Sequence, residues 1–283
     1  MSIEPTLELR GKTFAWGKQT YLMGILNVTP DSFSDGGDFN NEEAAFNQAQ
    51  NMIKNGADII DIGGQSTRPG AVQISLETEL NRVIPIIKKI RTASQIPISI
   101  DTTRSEVAQA AIASGADIIN DISGGTYDCE MLATTAQLQV PIMLMHIRGT
   151  PKTMQTLTDY QDLIGEIYQF FERQIKKCRD LKIPRSHLII DPGIGFAKTA
   201  DQNLEILRNL SQFKKLNVPI LMGVSRKSFI GKILNRDNPK ERVWGTAAAC
   251  CAAIANQADI LRVHDIPEIF DVTRVADAIW RNK

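Results

Sequence analysis

Asp101, Asn120, Asp191 and Lys227 each stand at or just beyond the end of a short apolar run, in S-I-D-T, I-I-N-D-I, L-I-I-D-P-G and G-V-S-R-K-S. Two carboxylates, an amide and an ammonium make a planar set of donors and acceptors. Such a set suits a flat, nitrogen-rich heterocycle, with a carboxylate accepting two N–H groups from an amidine-like edge. The same groups could act as a catalytic acid–base pair. A metal site fits less well, because lysine is no ligand and no histidines or cysteines cluster nearby.

A second group reads as an anion site. Arg68 lies in S-T-R-P-G, and Arg262 and His264 bracket Val263 in R-V-H-D. Residues two apart on a strand point the same way. Arginine and histidine at the last strands of a closed sheet suit phosphate. The plainer alternative pairs Arg262 with Asp265 or an acid of the last helix. Asn27 and Ser225 end neighbouring runs. The neutral carbonyl of Asn27 could complete a Mg²⁺ shell made mostly of substrate phosphate and water. His146 could reach the rim or pack as a buried polar group. His187 starts a strand and is expected to be structural. Met143 and Met145 alternate into one layer, and Phe196 could wall the mouth.

These residues need one common face, and the chain supplies eight apolar segments that each end in a polar residue. The expected strands are 21–26, 58–62, 97–100, 117–120, 142–145, 187–190, 220–224 and 259–263. The expected helices are 42–54, 75–92 with a bend at Pro85, 105–114, 130–138, 157–179, 201–215, 242–257 and 267–279. G-A-D-I-I occurs at 56–60 and 115–119, and Q-A-D-I-L at 257–261, a weak repeat of one βα unit. The fold class expected is α/β, a single (β/α)8 barrel with its working residues at one mouth. Residues 1–20 form an N-terminal extension whose hairpin caps the barrel, and 21–283 form the barrel itself. No G-x-G-x-x-G follows the first strand, which counts against a dinucleotide fold.

Composition narrows the classes further. The 283 residues hold 32 basic and 32 acidic side chains, so no basic excess points to nucleic acid. The four cysteines show no C-x-x-C spacing, so no disulfide framework is expected. No apolar run reaches membrane-spanning length, and the N-terminus lacks a signal-peptide pattern. A cytoplasmic protein without membrane or nucleic-acid partners is expected.

The motifs M-G-I-L-N-V-T-P-D-S-F-S-D-G-G, G-G-Q-S-T-R-P-G, S-I-D-T, I-I-N-D-I, D-P-G-I-G-F, S-R-K-S-F-I-G and R-V-H-D occur in order at βα junctions. With them the chain closely resembles the bacterial dihydropteroate synthases, a pterin-binding barrel family, from about Tyr21 to Asp277. The resemblance implies condensation of 6-hydroxymethyl-7,8-dihydropterin diphosphate with 4-aminobenzoate, giving 7,8-dihydropteroate and diphosphate in folate biosynthesis. It implies that Asp101, Asn120, Asp191, Lys227, Met145 and Gly223 bind the pterin. Asn27, Arg68, Arg262 and His264 would receive diphosphate, with Mg²⁺ at Asn27. Thr67, Arg68, Pro69, Phe196, Lys227 and Ser228 would form the aminobenzoate pocket. Asp101, Lys227, Arg262 and His264 would carry catalysis. Loops 28–40 and 66–72 would close over the substrates, sulfonamides would compete with aminobenzoate, and a homodimer is implied. The Ala-rich helix at 242–257 could form the dimer interface or face the barrel.

Three positions depart from the family pattern. Gln65 stands where glutamate is usual, Thr103-Arg104 replaces an aromatic–lysine pair, and Ala197 replaces glycine. Alanine does not readily take positive φ, so Ala197 is expected to stiffen its loop. Two rival readings are a methyltetrahydrofolate-dependent methyltransferase serving a corrinoid protein, and an inactive paralogue that acts as a ligand-binding or scaffold protein.

Overall fold

The computed structural model of the chain describes residues 6–29 and 38–281, with backbone alone for 38–41. Residues 30–37 of the first motif, and with them most of the loop 28–40, lie outside the described residues. Strands β1 (Thr6–Leu9) and β2 (Lys12–Ala15) form an antiparallel hairpin. Eight parallel strands follow: β3 (Tyr21–Asn27), β4 (Ile59–Gly63), β5 (Ile98–Asp101), β6 (Ile118–Asp121), β7 (Ile142–Met145), β8 (Leu188–Asp191), β9 (Leu221–Met222) and β10 (Ile260–Val263). They pair in chain order from β3 to β8, and β10 joins β3 to β9. A bridge between Ile190 and Ile220 closes the barrel.

The helices are α1 (Asp38–Lys54), α2 (Leu76–Ala93), α3 (Ser105–Ala113), α4 (Met131–Leu138), α5 (Leu163–Asp180), α6 (Ala200–Asn209), α7 (Ser228–Leu234), α8 (Val243–Ala255) and α9 (Ile266–Trp280). Side-chain caps set several starts. Ser75 accepts from Thr78 N–H before α2, and Thr199 and Gln202 form a capping box before α6. α5 starts later than expected, because Asp162 caps it by accepting from Gly165 N–H. α2 runs through Pro85 as one element. Pro85 lies on the solvent side, where the carbonyl it leaves unpaired can bind water. The short α7 was not expected; four apolar residues in its seven leave no readable helical period.

The strands are buried on both faces, as short Ile-rich parallel strands covered by helices should be. One large apolar core fills the space between sheet and helices. A second cluster fills the lower barrel, where Met23, Ile59, Ile118, Met143, Ile189, Leu221 and Ile260 meet Phe14 and Trp16 of the hairpin segment. A third lies at the mouth and contains Ile122, Met145, Ile147 and Phe196. Met143 and Met145 therefore occupy different layers, contrary to the expected single one: two residues along a strand is about 7 Å along the barrel wall.

The repeated aspartates explain the D-I-I pattern. Asp58 accepts from Leu22 N–H at 2.7 Å, Asp117 from Ile98 N–H at 2.9 Å, and Asp259 from Ile220 N–H at 2.8 Å. Each satisfies an otherwise unpaired amide where the neighbouring strand begins. Each also meets a cation: Lys12 at Asp58, Arg10 and Arg91 at Asp117, Lys214 at Asp259. Two of these cations come from the hairpin, which ties it to the barrel bottom.

Candidate active site

Four strand ends bring carboxylates, an amide and a guanidinium together at the mouth. Arg262 of β10 turns inward. Its Nε donates to Asp61 Oδ2 at 2.6 Å, and its Nη2 to Asp101 Oδ2 at 2.7 Å. Asn120 Nδ2 donates to the same Asp61 oxygen at 3.1 Å. Arg262 is therefore tied into the heterocycle group as well, while it stays near enough to His264 to act on its charge. The expected alternative partner, Asp265, is taken by Arg226, whose Nε reaches Asp265 Oδ2 at 3.0 Å.

Asp61 was missed in the sequence. It is fully buried in mid-strand, and its Oδ1 has no hydrogen-bond partner among the described residues. A carboxylate inside an otherwise apolar strand was the available signal. Burial raises Asp101 to about 7, with Arg262 pulling the other way and the charges of Asp61, Glu79 and Asp121 adding to the rise. Glu79, also buried, binds Thr102 Oγ1 at 2.6 Å and Arg104 Nη1 at 2.9 Å. The unusual Arg104 thus neutralises a buried acid behind the site.

Across the mouth, Asp191 Oδ1 accepts from Gly193 N–H at 2.8 Å, and burial raises its pKa. Gly223 leaves the space beside it open: a Cβ there would come no closer than 3.7 Å to Asp191 Oδ2. Lys227 caps the start of α7, and its Nζ sits 4.3 Å from the centroid of the Phe196 ring. Burial lowers Lys227 to about 8, against the attraction of Asp191. Ser228 is exposed at the first turn of α7.

The loop after β8 is held by a buried cation that sequence reading also missed. Lys198 Nζ lies 3.0 Å from His146 Nδ1 and donates to Phe196 O at 2.9 Å. Burial brings Lys198 to about 7, and burial together with Lys198 and Arg148 keeps His146 well below its ordinary value. His146 is thus a packed polar group inside the rim. Ala197 takes φ +52° despite its Cβ. Its backbone adopts the very conformation that alanine was expected to resist, at about 1–2 kcal/mol for an L-residue, with the Lys198 bonds on either side holding it.

The anion group is looser. Ser225 Oγ accepts from His264 N–H at 3.2 Å and lies 3.0 Å from His264 Nδ1. The serine proton is then directed at Nδ1, which puts the ring proton on Nε2, where it has no partner among the described residues. Burial and the nearby Arg226 and Arg262 push His264 down to about 3, so its ring is neutral. Asn27 ends β3, half-buried. Arg68 is exposed on the segment after β4, with no ion pair to its guanidinium among the described residues. Thr67 is half-buried and Pro69 exposed on the same segment. A cavity of about 360 Å³ runs from Asp101 beneath this segment, lined by Gln65, Thr67, Ile122, Tyr127 and Lys152 among others.

Comparison with known proteins agrees with this geometry. Residues 23–264 match the family described as pterin binding enzyme. The dihydropteroate synthase of Synechocystis is 59% identical over 98% of this chain and 96% of its own. The structure of the Clostridium difficile dihydropteroate synthase, determined in the presence of pteroic acid, superposes with a TM-score of 0.90 at 44% identity, covering 95% of this chain and 100% of that one. That of Xanthomonas albilineans dihydropteroate synthase with 4-aminobenzoic acid gives 0.91 at 39% identity, covering 98% of each. The chain belongs to the pterin-binding enzyme family, among its dihydropteroate synthases.

Proposed function

We propose that this chain joins 6-hydroxymethyl-7,8-dihydropterin diphosphate to 4-aminobenzoate, releasing diphosphate and 7,8-dihydropteroate. The observation that carries the reading is the convergence of Asp101, Asn120, Asp191 and Lys227 on one mouth, with Arg262 bridging Asp61 and Asp101 at its floor. Asp101, Asn120 and Asp191 accept from and donate to the pterin edge. Met145, Phe196 and Ile122 supply an apolar wall, and Gly223 leaves room beside Asp191.

The leaving diphosphate takes the electron pair of the C–O bond. His264 Nε2–H, Arg68 and the free Nη1 edge of Arg262 receive its charge. The pterin methylene is left cationic, and the carboxylates of Asp101 and Asp191 stabilise it. The aniline nitrogen attacks with its lone pair and then loses one proton, so no strong general base is needed. Thr67, Arg68, Pro69, Phe196, Lys227 and Ser228 hold the aminobenzoate, the place where sulfonamides would compete.

Mg²⁺ fits this donor set only in company. Asn27 offers one neutral oxygen, and no group of three His, Cys, Asp or Glu forms a metal site among the described residues. Such a site suits Mg²⁺ held mainly by diphosphate and water. When bound, the ion supplies charge neutralisation to the leaving group.

The test is release of diphosphate and dihydropteroate by purified protein supplied with both substrates and Mg²⁺. Equal amounts establish the reaction. Folded protein that binds the pterin and makes no product is the inactive paralogue. Methyl transfer from a methylfolate donor would mark the methyltransferase.

The free-enzyme pH profile follows from the two perturbed groups. Asp101 must be ionised and Lys227 protonated. kcat/KM should rise through about pH 7 and fall above about pH 8. In Lys227→Arg the basic limb should leave the range while the acid limb stays. An unmoved basic limb assigns it to another group.

The protein works as a cytoplasmic homodimer in this reading; no described helix is long and apolar enough to cross a membrane. Thr246, Ala247, Ala249, Cys250 and Ala253 of α8 face the barrel. Trp244 on the same helix is 75% exposed, and Ile233 and Leu234 of α7 and Val275 and Ile279 of α9 are exposed as well. Large apolar side chains exposed on neighbouring helices of the outer layer favour self-association. Trp244→Arg should weaken the dimer about 30-fold or more, the scale of a tryptophan hot spot. Sedimentation velocity at micromolar protein would read it as a monomer. An unchanged dimer would place the interface elsewhere.

A further inference from the structure

Gln65 sits where β4 gives way to the segment that carries Thr67, Arg68 and Pro69. Its side-chain amide makes three hydrogen bonds, all to backbone. Nε2 donates to Ser66 O at 2.8 Å and to Val72 O at 3.1 Å. Oε1 accepts from Ile74 N–H at 2.8 Å. One planar group therefore ties both ends of an eight-residue excursion, Ser66 to Gln73, that otherwise has little to hold it. The excursion has no helix or strand of its own. Arg68, Pro69, Gly70, Val72 and Gln73 are exposed.

Two further bonds depend on that closure. Ala71 N–H donates to Arg68 O, forming a turn at the tip, and Gly70 N–H donates to Pro151 O across the mouth, both at 3.0 Å. Gly70 takes φ +80°, so the turn suits glycine there. The result is a roof over the cavity that runs from Asp101 to Lys152.

Only a neutral carboxamide can make all three Gln65 bonds. A carboxylate has two acceptor oxygens and no donor. It would keep the Ile74 bond but turn an oxygen toward two carbonyl oxygens. We infer that Gln65 is a positioning residue, which holds the 66–73 segment in its docked form before ligand arrives and so sets the affinity for aminobenzoate. Ordering a loop in advance removes that entropy from the binding step. The inference rests on the assignment of Thr67, Arg68 and Pro69 to the aminobenzoate pocket.

The test compares Gln65→Glu and Gln65→Ala with the parent enzyme by hydrogen exchange without ligand and by steady-state kinetics. In Q65E the amides of Gly70 and Ala71 should exchange faster while Ile74 stays protected; in Q65A all three should open. KM for 4-aminobenzoate should rise about tenfold in Q65E, with kcat within about twofold, because the chemistry at Asp101 is untouched. Matching melting temperatures show that the fold is intact. Unchanged exchange at Gly70 and Ala71 overturns the staple. Thr67→Ala, measured alongside, separates the two readings. If T67A raises KM and Q65E does not, the pocket assignment stands and the positioning role is overturned. If neither raises KM, the pocket assignment itself fails and takes with it the role in affinity.

Discussion

Arg262→Ala should lower the melting temperature of the unliganded protein by about 6–20 °C, as well as abolish activity. The guanidinium neutralises two buried carboxylates at once, Asp61 through Nε and Asp101 through Nη2. Removing one partner of a buried pair costs about 3–5 kcal/mol, because the charge left behind has neither water nor counter-ion. Asp61 is fully buried and already has one oxygen without a partner among the described residues, so it has little means of relief. Asp101, near 7, can take up a proton, which trims the loss and makes it smaller in mild acid. The double variant Arg262→Ala with Asp61→Asn should recover a good part of the stability, since the strongest uncompensated charge is gone. Differential scanning fluorimetry at pH 6 and 8 would read both effects. A melting temperature within 2 °C of the parent, in units where about 2–4 °C reflects each kcal/mol, would show that the pair is hydrated or dispensable. The variant would also lose pterin affinity, because Asp101 and Asn120 both lean on this network. Arg262 is thus a poor probe of diphosphate binding taken alone; His264, whose Nε2–H has no partner among the described residues, is the cleaner one.

Asp101→Asn should fold normally and turn over about 10²–10³ times more slowly, the scale of losing one preorganised electrostatic contact to a transition state. The change preserves shape and keeps an oxygen that can accept from Arg262. It removes the negative charge facing the methylene as C–O cleavage makes it cationic. The loss should therefore appear in kcat and kcat/KM together, with KM for aminobenzoate little changed. Rapid-quench measurement of diphosphate release in a single turnover isolates the cleavage step. Normal cleavage in folded D101N would mean that Asp101 only grips the heterocycle, and the stabilising charge would have to come from Asp191. Burial raises Asp101 to about 7, and positive charge developing on the pterin methylene favours its ionised form.

Much of this protein was determined by local sequence. Short Ile-rich runs, each closed by a polar residue, specify buried parallel strands with chemistry at one end. The repeated aspartates specify how those strands start, since Asp58, Asp117 and Asp259 each satisfy an amide at the start of a neighbouring strand. The candidate residues Asp101, Asn120, Asp191 and Lys227 were legible for the same reason: a charged or polar residue at the end of an apolar run has few structural uses.

Only the tertiary structure decided who pairs with whom. Arg262 and Asp61 are 201 residues apart in sequence. Nothing local distinguishes an arginine that faces phosphate from one turned inward onto two acids. Glu79 and Lys198 read as ordinary surface charges in the sequence, and only the folded chain buries them; Asp61 stood out in its apolar strand, but its partners did not. The same holds for Ala197, whose positive φ is imposed by bonds to its neighbours against its own preference. Gln65 shows the converse, for its type was visible in the sequence while its three backbone partners exist only in the folded loop. Side-chain identity is local, but desolvation and charge pairing depend on what the barrel brings near, and those terms set the chemistry of the mouth.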